Sequence, residues 1–101
     1  MKIINTKEFN EIKNEGNLVI DFYADWCGPC KMLSPVLEKI SADYPNVNFV
    51  KVNCDNDEEL AMEFGVMSIP AVFMLKDGKV VNKFVGSQPE SKITQLLDES
   101  F

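Results

Sequence analysis

The sequence predicts an α/β protein with a central mixed β-sheet and helices on both faces, in the order βαβαβαββα. Three observations predict it. The run from Leu18 to Ala24 is apolar on both parities except at Asp21, as in a strand covered on both faces. Beyond it Leu33, Val36, Leu37 and Ile40 recur at helical spacing, which is the pattern of a crossover helix. Near the end, Asp77-Gly78 separates two strand-like runs and reads as a two-residue hairpin turn.

Each element has its own local cause. Ile3-Ile4 forms a short opening strand, and Asn5-Thr6 caps a first helix that carries Phe9 and Ile12 inward and ends at Gly16. The Leu18–Ala24 strand runs into a turn, and a helix starting at Cys27 continues to about Tyr44, where Pro45 stops it. Pro35 inside this helix should kink it. Asn48 to Asn53 is the third strand. Asp57-Glu58-Glu59 then places acids at the positive end of a short helix closed by Gly65. The hairpin strands are Ala71 to Lys76 and Lys79 to Val85. Ser87-Gln88-Pro89-Glu90 reads as a capping box with proline in the first turn, and Ile93, Leu96 and Leu97 form the buried stripe of the last helix.

With 101 residues, 46% of them hydrophobic, the chain is expected to be one compact domain over residues 1–101. Ten basic residues against sixteen acidic ones give a net charge of −6, which argues against nucleic acid and anionic membrane as partners. The N-terminal Met1-Lys2-Ile3-Ile4-Asn5 has no apolar core of an export signal, so a cytoplasmic protein is expected. Three cysteines make a poor secreted disulfide framework, and in a reducing compartment a Cys-x-x-Cys beside a βαβ pattern points to redox chemistry.

That motif is Trp26-Cys27-Gly28-Pro29-Cys30, just past the second strand, where ligand chemistry gathers in folds of this kind. Two intervening residues let the sulfurs meet if the backbone turns into a helix at Cys27. The unpaired N–H groups and positive dipole of the helix start favour a thiolate on Cys27, which makes it the nucleophile. Zinc would need four ligands, and a chain without histidine and with one distant further cysteine does not readily supply them, so no metal is expected. Asp21 is costly to bury; it is either a solvated edge carboxylate or a base that takes the proton of Cys30, directly or through one water.

The sequence resembles the thioredoxin family. The resemblance runs in order through Asp21-Phe22-Tyr23-Ala24, Trp26-Cys27-Gly28-Pro29-Cys30-Lys31, Pro35, Lys51-Val52-Asn53, Ile69-Pro70, Asp77-Gly78-Lys79 and Phe84-Val85-Gly86. It implies a thioredoxin fold and dithiol–disulfide exchange with protein substrates. It also implies re-reduction by a thioredoxin reductase, with no bound cofactor and a monomeric protein. By the same resemblance Asp21 is the buried family aspartate, with Lys51 as its lysine partner, and Ile69-Pro70 is a cis step whose Ile69 backbone pairs with an extended substrate. Trp26, Gly28, Pro29, Pro70 and Gly86 border that docking groove. On their own evidence Lys51 is a surface lysine, Pro70 a strand-start proline, Trp26 a core aromatic and Gly86 a turn glycine.

Within the family pattern, proline at position 29 has no N–H to stabilise the Cys27 thiolate, which marks a reductant rather than an oxidant. A glutathione-reduced protein is the rival enzyme, disfavoured by the Gly-Pro insert; a non-catalytic module using only the groove is the rival of another class. Tyr23 and Met67-Ser68 depart from common residues of the family and bear on partner preference. Cys54 is expected to be a small buried filler, with a regulatory thiol as the alternative reading.

Overall fold

The computed structural model describes residues Met1 to Phe101 and contains the nine predicted elements in the predicted order. They are β1 (Lys2–Ile3), α1 (Thr6–Ile12), β2 (Asn17–Tyr23), α2 (Gly28–Ser41), β3 (Val47–Asn53), α3 (Glu58–Glu63), β4 (Ala71–Lys76), β5 (Lys79–Val85) and α4 (Glu90–Ser100). The sheet order is β1-β3-β2-β4-β5, with β2 parallel to β3 and antiparallel to β4. β2 therefore lies in the middle, which explains why its apolar residues occupy both parities.

Period-two alternation sorts those residues into two cores. Leu18, Ile20 and Phe22 of β2 and Ala71, Phe73 and Leu75 of β4 pack with Phe9 of α1 and Leu60 of α3 on one face. Val19, Val72 and Met74 pack on the other face with Leu33 and Leu37 of α2 and Ile93 and Leu97 of α4. Aromatic rings tighten the first core, where Phe64 lies between Phe22 and Phe73 at centroid distances of 5.2 and 5.0 Å. Asp21 and Lys51 share the parity of Val19 and Phe49, so both belong to the α2 side of the sheet.

The element ends differ from expectation in instructive ways. Asn5 caps α1 through a full capping box with Glu8, whose backbone N–H donates to Asn5 Oδ1 at 2.8 Å. The box expected at Ser87–Glu90 does not form. Pro89 is itself the N-cap residue in extended geometry, which leaves Ser87 outside the helix, and the Pro89 carbonyl takes the Lys92 and Ile93 N–H groups instead. α2 stops at Ser41, and the expected tail to Tyr44 continues only as tight turns in which Asp43 and Tyr44 donate to Ile40 and Ser41. It runs through Pro35 as one helix. Asp77 and Gly78 both have positive φ, as the hairpin turn requires. No helix is long and apolar enough to cross a membrane.

Candidate active site

The chain leaves β2 at Tyr23, at the carboxyl end of the central strand, and turns into α2 within five residues. Cys27 is the N-cap residue of α2, extended in backbone, and its sulfur accepts the Cys30 N–H at 3.2 Å. A sulfur thus occupies the position normally taken by a Ser or Asp oxygen, at the end of the helix that favours negative charge. Gly28 and Pro29 form the first turn, and proline there forfeits an N–H that a helix start leaves unpaired anyway. The result brings the Cys27 and Cys30 Cα atoms to 5.3 Å, and the two sulfurs are joined as a disulfide.

Both cysteines are almost fully buried, but their surroundings differ. Cys27 Sγ lies 3.9 Å from the carbonyl oxygen of Ile69, beside the cis Ile69-Pro70 peptide. That side opens into an apolar groove of about 330 Å³ walled by Trp26, Val66, Met67 and Ile69. Trp26 is 72% exposed and Met67 97%, so the indole is no core aromatic. Its Nε1 donates to Asp55 Oδ2 at 2.9 Å, which fixes the ring against the groove. Gly86 connects to the same region through its N–H, which donates to the Pro70 carbonyl at 2.8 Å.

Cys30 borders a second cavity, of about 260 Å³, with Tyr23, Ser34 and Lys51. Asp21 lies beneath this side of the sheet, fully buried, and neither of its carboxylate oxygens accepts a hydrogen bond from the protein. Burial therefore drives its pKa up from 3.8 to about 6, against the pull of the Lys51 charge. Lys51 is its partner in the β2–β3 register, yet the ammonium donates to Ser34 Oγ at 3.1 Å and sits 4.3 Å from the centre of the Tyr23 ring. The reading of Asp21 as a solvated edge residue is excluded by its burial.

The candidate site residues thus gather around the disulfide, from the carboxyl-terminal parts of β2 and β3, the start of α2 and the start of β4, with Gly86 brought there from the end of β5. Asp55 and Ser34 were not among them. Asp55 follows the end of β3, a place where such sheets carry chemistry, and Ser34 stands one helical turn after Cys30; those positions were the available signals. Cys54 packs against the first core as a filler would, but it is only partly buried. It lines the groove beside Trp26, with burial and the neighbouring Asp55 and Asp21 charges pushing its thiol pKa up. No group of histidine, cysteine and carboxylate side chains is arranged to hold a metal.

Comparison with known proteins accounts for this arrangement. The family model described as Thioredoxin matches residues 1–99. The chain is 40% identical to the thioredoxin of Chlamydia caviae over 99 residues, covering 98% of this chain and 97% of that protein. It is also 40% identical to that of Staphylococcus haemolyticus over 97 residues, 95% of this chain and 93% of the relative. Among solved structures, oxidised mitochondrial thioredoxin 3 of Saccharomyces cerevisiae aligns with a TM-score of 0.87 and 38% identity, over 97% of this chain and 94% of the other. Plasmodium falciparum thioredoxin gives 0.92 and 31% identity over the full length of both. The mixed five-stranded sheet with its four helices is the thioredoxin fold, and the Cys27-Gly28-Pro29-Cys30 pair at the helix start is built for dithiol–disulfide exchange as a protein-disulfide oxidoreductase. On sequence, fold and redox pair together, the chain belongs to the thioredoxin family.

Proposed function

We propose that this chain is a general protein disulfide reductase in which Cys27 attacks and Cys30 resolves. The Cys27 thiolate attacks one sulfur of a substrate disulfide, forming a mixed disulfide and expelling the other substrate sulfur as a thiolate. Cys30, having lost its proton, then attacks Cys27 Sγ, which forms the Cys27–Cys30 disulfide and releases the second substrate thiolate. The substrate gains two electrons and the active-site pair loses them. A thioredoxin reductase restores the dithiol, and no bound cofactor takes part.

The observation that carries this division of labour is the different environment of the two sulfurs. Cys27 stands at the helix N-cap beside the apolar groove, whereas Cys30 borders the cavity above Asp21 and Lys51. A carboxyl with a pKa near 6 is suited to take the Cys30 proton at neutral pH, directly or through one water, and Lys51 adds positive charge beside it. On the other side an extended substrate strand would pair with the Ile69 backbone, between Trp26 and the Pro70–Gly86 contact, over the Gly28-Pro29 turn. Such a rim reads backbone more than side chains, which suits many unrelated substrates. We assign the protein as a single domain over residues 1–101, acting as a monomer in the cytoplasm.

Reduction of insulin disulfides with dithiothreitol as electron donor tests the reading. Turnover that disappears in Cys27→Ser is expected. A protein that binds the disulfide substrate but does not turn it over would instead be a docking module.

A further inference from the structure

We propose that Ser34 is a positioning residue that clamps the Lys51 ammonium beside Asp21 and thereby governs when that buried carboxyl takes a proton. The proposal rests on the reading of Asp21 as the base that serves Cys30. Three geometric facts carry it. Ser34 follows Cys30 by four residues on α2, so both side chains face the cavity that Lys51 enters from β3. Its Oγ takes a hydrogen bond from Lys51 Nζ at 3.1 Å, while the Tyr23 ring lies 4.3 Å from the same ammonium. Asp21 and Lys51 are directly opposed in the β2–β3 register, on the same face of the sheet, and the carboxylate has no hydrogen bond of its own.

The ammonium is thus held near the carboxylate without touching it. The titratable groups coupled to Asp21 are Lys51 on β3, Tyr23 at the end of β2 and Cys54 beyond β3, and the cavity that Lys51 enters is lined further by Asp25, Cys30 and Lys31. From β4 the opposing residue is the apolar Val72. Lys51 is the cation that counters burial at the Asp21 carboxyl. A lysine ammonium is strongly hydrated and its stem is flexible, so without the hydroxyl it would move outward to water. Asp21 would then lose part of the attraction that favours its charged form.

The test is an NMR titration of the Asp21 carboxyl carbon in the full-length oxidised protein, where neither active-site sulfur titrates. Ser34→Ala should raise the midpoint by about half a pH unit, toward the value in Lys51→Met. Ser34→Thr, which keeps a hydroxyl, should restore the wild-type midpoint. A midpoint that stays in place or falls in Ser34→Ala overturns the proposal, as does an equal rise in Ser34→Thr. The pH profile of mixed-disulfide resolution separates this from the reading beneath it. A profile unchanged by Asp21→Asn removes Asp21 as the base, while the carboxyl titration still decides whether Ser34 clamps Lys51.

Discussion

Asp21 and Lys51 stand opposite each other on neighbouring strands, yet the carboxylate and the ammonium do not form an ion pair. Lys51 is turned to Ser34 and Tyr23, so its charge reaches Asp21 without giving it a hydrogen bond. Desolvation prevails over attraction, and the carboxyl keeps its proton up to a pH of about 6. Folding and chemistry are thereby coupled at one residue.

Stability should show that coupling. Between pH 3.8, the ordinary value, and about 6 the native carboxyl binds more protons than the unfolded one. The stability Asp21 contributes is therefore full below 3.8 and is lost as pH rises through 6. The rise from 3.8 to about 6 corresponds to about 3 kcal/mol. Asp21→Asn should accordingly be more stable than wild type by about 2–3 kcal/mol in urea unfolding at pH 7.5, with the difference closing below pH 4. The same variant should resolve mixed disulfides more slowly. A variant less stable at pH 7.5 and equally fast would make Asp21 an ordinary structural carboxylate.

Gly86 offers a backbone test near the groove. Its φ is +81°, and a Cβ added there would meet nothing within 4 Å, so the cost of Gly86→Ala is conformational and not steric crowding by neighbours. Loss of about 1 kcal/mol in urea unfolding is expected. Unchanged stability would show that the turn relaxes freely and does not constrain Pro70 through the Gly86 N–H.

The groove wall is testable through Asp55, which accepts the Trp26 indole N–H. Asp55→Ala frees a ring that is already exposed, so the fold should be retained. KM for a protein disulfide should rise about threefold, as expected for one lost hydrogen bond at a surface. Reduction of a small disulfide reagent, which needs no docking, should change less. Equal losses with both would move the role of Trp26 from docking to the disulfide itself.

The fold was legible because the longer helices carry apolar stripes at helical spacing, the central strand reads as an apolar run broken only by Asp21, and Asp77-Gly78 fixed the hairpin without help from the rest of the chain. The last helix start was misread because Ser87 and Glu90 have capping-box spacing, while Pro89 at the N-cap shifts the start beyond the reach of the serine. Cys27 and Cys30 were legible from spacing alone. Asp21 stood out as a carboxylate in an apolar run. Ser34 and Asp55 were not, since each is an ordinary polar residue in one dimension and acquires its partner only when α2 meets β3 or when the loop after β3 reaches Trp26. Cys54 was only half legible, because a residue just past a strand end can pack inward or line a groove, and Cys54 does both, against the first core and beside Ala61 and Val66.

The most direct measurement is mass spectrometry of covalent adducts formed with a protein disulfide substrate by the two variants that each replace one active-site cysteine. Cys30→Ser should accumulate a mixed disulfide on Cys27, because attack proceeds and no resolving thiol remains. Cys27→Ser should trap nothing on Cys30 and turn over nothing, since Cys30 borders the inner cavity and not the groove. An adduct on Cys30 in Cys27→Ser, with none in Cys30→Ser, would contradict the assignment of the two sulfurs.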